Sequence, residues 1–256
     1  MEIKHIKKGK NNKYEISFIN GSKLTTYDEV LLSNNLLYKK DLSKEDIKSI
    51  ESKNIFYDVY NNALKYISKR IRSTKEIKKY LDKYEISLKD KNDIIKILKE
   101  KGFLDDLRFA KAFISDKVNL TSDGPYKIKK ELLSHDIDES IIDNLIHDID
   151  KEELISKLDK LVNKKINTSK ESNYLARKKI TNYFINLGYS KEMIDEVYKD
   201  SRDDTSYLEK EFDKLYKKLS YKEQDKDKLL LKIKQKLYSK GYSLSKIDEY
   251  IRKEYE

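Results

Sequence analysis

The chain contains no cysteine among its 256 residues, which removes disulfides, cysteine-rich zinc sites and a thiol nucleophile from consideration. A single proline and six glycines leave the backbone with few interruptions, which favours long helices over a turn-rich β architecture. No run of about 18 apolar residues occurs, and no apolar signal segment follows Met1. We therefore expect a mainly α protein that is cytoplasmic and does not associate with a membrane.

Charged residues are abundant and one sign dominates. The 56 Lys and Arg residues outnumber the 46 Asp and Glu residues, which gives a formal net charge of +10. This surplus suits a partner with a phosphate backbone or an acidic face. AT-rich coding, which enriches Lys, Asn, Ile and Tyr together, would instead make the extra lysines a solvated coat. The charge alone leaves both interpretations open.

Residues 1–52 differ from the rest and predict an N-terminal extension that contains a small β-hairpin. Residues 14–18 alternate between apolar and polar side chains, and a Thr-rich segment at 24–27 follows Asn20-Gly21. An Asn-Gly pair between two such segments is a strong hairpin signal, because both turn residues are expected to take positive φ.

Helical periodicity dominates from about residue 55 to the end. Two short helices are expected before that point, around 29–32 and from Ser43, whose side chain can cap a helix together with Asp46. Apolar residues then recur three and four positions apart, for example Ile55, Val59, Ala63, Leu64 and Ile67. Each stripe of this kind needs a neighbouring helix to bury it.

A segment of helix, turn and helix recurs about every 52 residues, so that Ile128 aligns with Ile180. In each copy the turn contains an apolar residue followed by a residue that can cap the next helix: Ile86-Ser87, Ile137-Asp138, Tyr189-Ser190 and Tyr242-Ser243. Gly188 and Gly241 can end the preceding helices in the left-handed conformation. Coincidental periodicity in a helical protein is the alternative.

One further helix precedes each copy, so the predicted repeat has three helices. We expect the repeats to occupy 53–103, 104–150, 151–200 and 201–256, after the extension at 1–52. A three-helix repeat is too small to bury both of its faces alone. Neighbouring repeats are therefore expected to stack in tandem into an elongated, curved array.

Two stretches are more specific than helical patterning. Residues 63–77 read Ala-Leu-Lys-Tyr-Ile-Ser-Lys-Arg-Ile-Arg-Ser-Thr-Lys-Glu-Ile, in which Ser73 and Glu76 form a capping box after a turn with two arginines. Residues 102–110 read Gly-Phe-Leu-Asp-Asp-Leu-Arg-Phe-Ala, and Gly124-Pro125 follows, with the proline suited to a first helical turn.

Together these strings resemble the signature of the RecX family. Its pattern runs Leu-x-x-Arg-x-Arg-Ser-x-x-Glu, then Gly-Phe/Tyr-Leu-Asp-Asp-x-Arg-Phe-Ala, then Gly-x-x-x-Ile/Leu. This chain departs from it at Ile67, where the family usually has leucine. The resemblance is dense over 63–145, and beyond that it depends on the repeat register. The N-terminal hairpin resembles that of longer family members from Gram-positive bacteria.

The resemblance implies a regulator that is not an enzyme and needs no cofactor. Members of this family bind in or along the groove of the RecA–DNA filament and usually inhibit RecA activities, and so affect recombination, DNA repair and the SOS response. The implied partners are the RecA filament and single-stranded DNA within it, and we expect the chain to act as a monomer.

Basic residues in the motifs and in two later clusters are the candidate contacts with RecA or DNA: Arg70, Arg72, Arg108, Lys127, Lys129, Lys130, Arg177, Lys178 and Lys179. Structural roles compete with this assignment. Arg108 can pair with the nearby Asp105, and lysine clusters lie on solvated faces in many helical proteins.

Catalytic functions find little support in the sequence. The three histidines, His5, His135 and His147, are too scattered to indicate a metal site, and no glycine-rich loop is present to bind phosphates. The pairs Asp105-Asp106 and Asp203-Asp204 are explained by helix capping and solvation.

Two rival functions remain. One is a basic module that binds single-stranded nucleic acid through lysines and tyrosines, independently of RecA. Against it, several of the 20 tyrosines, such as Tyr189 and Tyr242, occupy apolar repeat positions where they are expected in the core. The other is a helical scaffold for an acidic protein.

Overall fold

A computed structural model describes residues 1–10, 12–199 and 203–255. Three strands and thirteen helices occur in this part of the chain. In chain order they are β1 (Ile3–Lys8), β2 (Lys13–Phe18), β3 (Lys23–Tyr27), α1 (Asp28–Ser33), α2 (Lys44–Ile67), α3 (Thr74–Leu81), α4 (Leu88–Glu100), α5 (Asp106–Leu120), α6 (Pro125–Leu133), α7 (Glu139–His147), α8 (Lys151–Thr168), α9 (Asn173–Asn186), α10 (Lys191–Val197), α11 (Thr205–Leu219), α12 (Lys226–Ser239) and α13 (Leu244–Tyr255). The predicted mainly α fold with an N-terminal hairpin is confirmed.

The chain divides into two compact units. The first comprises 1–112 together with 135–137, and the second comprises 113–134 and the chain from 138 onward. The division falls within α5, directly after Ala112.

The N-terminal sheet is antiparallel, in the order β1-β2-β3. The hairpin of β2 and β3 is confirmed, but its turn differs from the expectation, since Gly21 has a φ of +87° whereas Asn20 does not have a positive φ. The Asn20 side chain instead accepts a hydrogen bond from the Ser22 amide at 3.0 Å. Strand β1 was not predicted, because its pairing slips between Ile3 and His5 and no clean alternation results.

Helix α2 is one continuous helix of 24 residues, longer than the short helix expected from Ser43. The predicted capping box of Ser43 and Asp46 is present. Ile50 packs in the core with the sheet and Val59 in the core with α3 and α4. Ile55, predicted to be buried, is 55% exposed because it lies on α2 between these two contact regions.

The repeat pattern corresponds to four helix triplets, α2–α4, α5–α7, α8–α10 and α11–α13. The predicted caps are present, since the side chains of Ser87, Asp138, Ser190 and Ser243 each accept a backbone N–H of the helix that follows. Gly188 and Gly241 take positive φ.

Asp136 also takes a positive φ, at +58°, in the position that glycine occupies in the later repeats. An aspartate tolerates this conformation better than most residues.

The starts of the middle helices α3, α6 and α9 contact the turn of the next repeat. In the first unit, Ser73 at the start of α3 lies with its Oγ 3.2 Å from Nδ1 of His135. In the second unit, the Gly124 amide donates to the Leu187 carbonyl at 2.6 Å, and the Ser172 hydroxyl donates to the Lys240 carbonyl at 2.6 Å. These contacts between successive repeats are polar, and they recur at equivalent places.

Two aspartates complete these junctions. Asp106 of α5 accepts from the Thr74 amide at 2.8 Å, and Asp204, which is almost fully buried, accepts from the Asn173 amide at 3.1 Å. Helix capping and solvation do not describe these carboxylates fully, because each also ties one repeat to its neighbour.

Candidate functional site

The arginine motif forms the turn between α2 and α3. Ser73 begins α3 with a complete capping box, in which its side chain accepts from the Glu76 amide and the Glu76 carboxylate accepts from the Ser73 amide. This cap, predicted from the sequence, places the Glu76 carboxylate within reach of both Arg70 and Arg72. Arg70 pairs with Oε1 of Glu76, and Arg72 lies 3.2 Å from the same oxygen.

Arg72 is held mainly by contacts inside the protein. Only 11% of its side chain is exposed, and its guanidinium carbon lies 3.9 Å from the centroid of the Tyr66 ring. Tyr66 in turn stacks on Tyr80 with centroids 4.2 Å apart. Arg72 therefore fixes the geometry of the turn, and little of it is available to a partner.

The Glu76 carboxylate is kept ionised by this arrangement. Burial alone raises the pKa of Glu76, but the Ser73 amide and the guanidinium groups of Arg70 and Arg72 outweigh that effect and hold the pKa below its ordinary value of 4.5. The negative charge in turn keeps both arginines oriented.

Arg70 and Arg108 line one pocket of about 330 Å³ in the first unit. Its apolar wall includes Ile67, Ile71 and Phe103, of which Ile71 and Phe103 are exposed. The sequence motifs that contain Arg70 and Arg108 are thus brought together in space. The resulting pocket combines exposed apolar side chains with the exposed Arg70 and Arg108, and the largely buried Arg72 also lines it.

The pairing of Arg108 with Asp105, considered from the sequence, does not occur. Asp105 instead caps α5 by accepting the Arg108 backbone amide at 3.0 Å. The Arg108 side chain is exposed and has no ion pair among the residues that the structure describes. Unlike Arg70, it therefore need not leave a carboxylate partner to bind an anion.

The three candidate lysines on α6, Lys127, Lys129 and Lys130, differ in whether they form ion pairs. Lys127 lies 2.6 Å from the buried Asp123, and Lys129 lies 2.8 and 2.6 Å from Glu139 and Asp143. Lys130 is exposed, and within the described ranges it forms no ion pair.

The three candidate residues on α9, Arg177, Lys178 and Lys179, also differ in whether they form ion pairs. Arg177 lies 3.0 Å from Asp195, and Lys179 pairs with Glu171. Lys178 is exposed and has no ion pair in the part of the chain that the structure describes. Because exposed ion pairs contribute only about 0–1 kcal/mol, these two pairs add little to stability.

Sequence reasoning missed the apolar part of the arginine pocket. Phe103 was considered only as part of a turn, and Ile71 only as a residue between two arginines. Their positions in the sequence could have indicated this role. Both are apolar residues of the two motifs, and both lie outside the periodic apolar stripes.

No group of three or more His, Asp or Glu side chains in the described ranges is arranged to hold a metal ion. Among the same residues, no helix is long and apolar enough to cross a membrane.

Known proteins similar to this chain share its helical architecture. A family model described as "RecX, second three-helix domain" matches residues 105–146, which cover α5, α6 and all of α7 except its last residue. A crystal structure titled "Crystal structure of regulatory protein RecX" has a TM-score of 0.71 at 21% sequence identity, covers 77% of this chain and 98% of its own, and supports the fold.

Proteins similar in sequence carry the name "Regulatory protein RecX". A "Regulatory protein RecX" of Oceanobacillus iheyensis is 32% identical over 182 residues, which are 70% of this chain and 67% of that protein. Another, from Halalkalibacterium halodurans, is 30% identical over 201 residues, 76% of this chain and 75% of that protein. Given this identity over most of both chains, the protein belongs to the RecX family of regulatory proteins.

Proposed function

We propose that the protein is a RecX-type regulator that binds the RecA–DNA filament and inhibits RecA activities in recombination, DNA repair and the SOS response. It acts in the cytoplasm, as a monomer, through binding alone and without a cofactor. Its membership of the RecX family supports the regulatory role, and its basic surface supports binding to a filament that carries DNA phosphates.

The main structural support is the pocket that contains Arg70 and Arg108. An exposed guanidinium group beside exposed apolar side chains suits a partner that presents an anion next to an apolar group. Arg108 meets this description most closely, because its side chain lies at the pocket and forms no ion pair within the described residues. We assign Arg70 and Arg108 to contact with the filament, and Arg72 to holding Arg70 in place through Glu76.

The basic residues of the second unit are assigned to the same filament. Lys130 and Lys178 are the exposed members of their clusters without ion pairs in the described ranges, so they need lose no internal partner to bind an anion. Lys127, Lys129, Arg177 and Lys179 already contact carboxylates, so we assign them a smaller contribution.

The second candidate function is a module that binds single-stranded nucleic acid and does not act on RecA. The exposed Lys130 and Lys178 favour it as well. The two functions separate in a titration of the purified protein into RecA with single-stranded DNA, in which ATP hydrolysis and filament length are followed. Inhibition at protein levels well below those of RecA supports filament regulation.

Two other outcomes contradict the proposal. If RecA responds only once enough protein is present to coat the DNA, the chain is a simple nucleic-acid-binding module. If it neither affects RecA at any ratio nor retains DNA, it is a helical scaffold for another partner.

A further inference from the structure

Two exposed tyrosines occupy equivalent places in the second unit. Tyr126 is the second residue of α6 and Tyr174 the second residue of α9, and their exposed fractions are 66% and 63%. Both differ from Tyr189 and Tyr242, which are buried in the cores of the last two repeats.

Each tyrosine lies at the glycine turn of the following repeat. The Tyr126 amide donates to the Gly188 carbonyl at 3.0 Å, and both residues line one surface pocket. At the next junction, a Cβ added to Gly241 would stand 2.6 Å from Cδ1 of Tyr174. Gly241 thus leaves room for the Tyr174 ring, and the side chains of both tyrosines remain exposed.

A lysine with no ion pair in the described ranges follows each tyrosine by four positions. Lys130 follows Tyr126, and Lys178 follows Tyr174, so each pair lies on one helix face, one turn apart. The nearest acidic neighbours in sequence are already paired, since Glu131 lies 2.6 Å from Lys117 and Glu171 binds Lys179. Each place therefore offers an aromatic ring and an uncompensated positive charge.

The repeat register does not account for this equivalence. Alignment of the repeats on Ile128 and Ile180 places Lys178, not Tyr174, opposite Tyr126. The two tyrosines correspond only because α9 begins four residues earlier relative to its core than α6 does. The same pair of side chains thus arises at the same structural position through different local sequences.

We propose that Tyr126 with Lys130, and Tyr174 with Lys178, form two equivalent subsites for single-stranded nucleic acid. In each, one base stacks on the tyrosine ring and one phosphate binds the lysine. A polymer that repeats an aromatic base and a charged phosphate matches a surface that repeats an aromatic ring and a cation. This inference deepens the proposed function and rests on it for the DNA of the filament.

The test uses the full chain and a fluorescent oligothymidylate of about 20 nucleotides, with fluorescence anisotropy as the readout. The variant Tyr126→Ala/Tyr174→Ala is expected to bind about tenfold or more weakly, because each base–aromatic stack is lost. The variant Tyr126→Phe/Tyr174→Phe keeps the rings and should bind within about twofold of the wild type. Tyr221→Ala, which removes a ring that is 90% exposed outside the junctions, is the matched control.

A second readout does not depend on affinity. An oligonucleotide with 5-iododeoxyuridine is cross-linked to the wild-type protein by light, and the joined peptides are identified by mass spectrometry. Cross-links at Tyr126 and Tyr174 are expected. An oligouridylate of the same length, measured in parallel, distinguishes a preference for DNA from one for RNA.

Three results would overturn the subsites. They are absence of binding by the wild type, equal binding by the alanine variant, and equal loss in the phenylalanine variant. If the alanine variant binds the oligonucleotide normally but no longer inhibits RecA, this face binds protein instead. Failure of the proposed function looks different, because the wild type would then bind the oligonucleotide through these tyrosines while RecA hydrolysis stays unchanged.

Discussion

The guanidinium carbon of Arg72 lies 3.9 Å from the centroid of the Tyr66 ring, and one of its nitrogens lies 3.2 Å from the Glu76 carboxylate. An arginine of the sequence motif is therefore used to hold α2 and α3 together. All three motif arginines line one pocket, but Arg70 and Arg108 are exposed there whereas Arg72 is largely buried. The same motif thus contains residues with different tasks, and substitutions can separate them.

Replacement of Arg72 should reduce stability. We expect Arg72→Ala to lower the free energy of unfolding of the first unit by about 1–3 kcal/mol, because a charged hydrogen bond and a cation–π contact are lost. Arg72→Lys should retain only part of the stability that Arg72→Ala loses, since a lysine lacks the planar guanidinium. Urea unfolding followed by circular dichroism measures both. Arg108→Ala is the control, and a loss of stability equal to that of Arg72→Ala would contradict these roles.

The Glu76 carboxylate should make the stability of the first unit depend on acidic pH. Its pKa in the folded protein lies below the ordinary value of 4.5. Its interactions therefore contribute fully above pH 4.5 and are lost as the pH falls through the folded pKa. We expect Glu76→Gln to lower the free energy of unfolding at neutral pH. We also expect the free energy of unfolding of this variant to fall less steeply than that of the wild type as the pH is lowered.

The measurement is a series of urea unfolding curves between neutral pH and about pH 3. Glu100→Gln is a suitable control, because Glu100 is 62% exposed and lies 3.9 Å from Lys96 in a surface pair. Parallel pH profiles for the wild type and Glu76→Gln would show that Glu76 does not contribute in this way.

Gly188 is required by its surroundings as well as by its backbone conformation. Its φ is +90°, and an added Cβ would lie 2.3 Å from the Lys127 backbone nitrogen. Gly102 has a φ of +71°, but nothing lies within 4 Å of its added Cβ. We expect Gly102→Ala to cost about 1 kcal/mol, and Gly188→Ala about 3 kcal/mol or more.

Hydrogen exchange locates the effect of Gly188→Ala. The Tyr126 amide donates to the Gly188 carbonyl, so it should exchange faster in this variant. Equal losses of stability for the two glycine variants, with an unchanged Tyr126 amide, would mean that the junction tolerates a side chain.

Much of the fold could be predicted because it depends on local signals. The caps at Ser43, Ser73, Ser87 and Ser190 each have a polar acceptor followed three residues later by the amide that it binds. Such signals lie within a few residues of each other. Strand β1 lacked one, because at the slip in its pairing with β2 Ile3 lies opposite Phe18 and His5 opposite Ser17, beyond the reach of a local motif.

The candidate sites could be predicted only in part, because the sequence does not show which charges are already paired. Lys129 and Lys130 are adjacent and chemically identical, yet Lys129 contacts Glu139 and Asp143 across to α7. Likewise, Arg70 and Arg108 are far apart in sequence, and their common pocket depends on how α2 and α5 are placed. Residue type identified the candidates, and tertiary contacts rank them.

Arg108 should matter for RecA inhibition and little for stability. We expect Arg108→Glu to weaken inhibition about tenfold or more, because the pocket would present a like charge to an anionic partner. The assay is inhibition of RecA ATP hydrolysis on single-stranded DNA. Lys96→Glu, an equal charge change at an exposed position of α4, is the control. Equal effects of the two variants would show that only net charge matters.

The cluster on α9 allows a sharper test. Reversal of Arg177, Lys178 and Lys179 to glutamate should weaken RecA inhibition while helicity stays intact, since all three side chains are exposed. Most of this loss should come from Lys178→Glu alone, because Arg177 and Lys179 already neutralise Asp195 and Glu171.

Lys179→Glu provides the comparison, with the same change in charge one residue away. It breaks an exposed ion pair worth about 0–1 kcal/mol, so it should leave unfolding nearly unchanged. If Lys178→Glu and Lys179→Glu inhibit RecA equally well, the absence of an ion pair at Lys178 does not make it more important than Lys179. Unchanged inhibition by the triple variant would remove α9 from the interface and leave the arginine pocket of the first unit as the candidate contact with the filament.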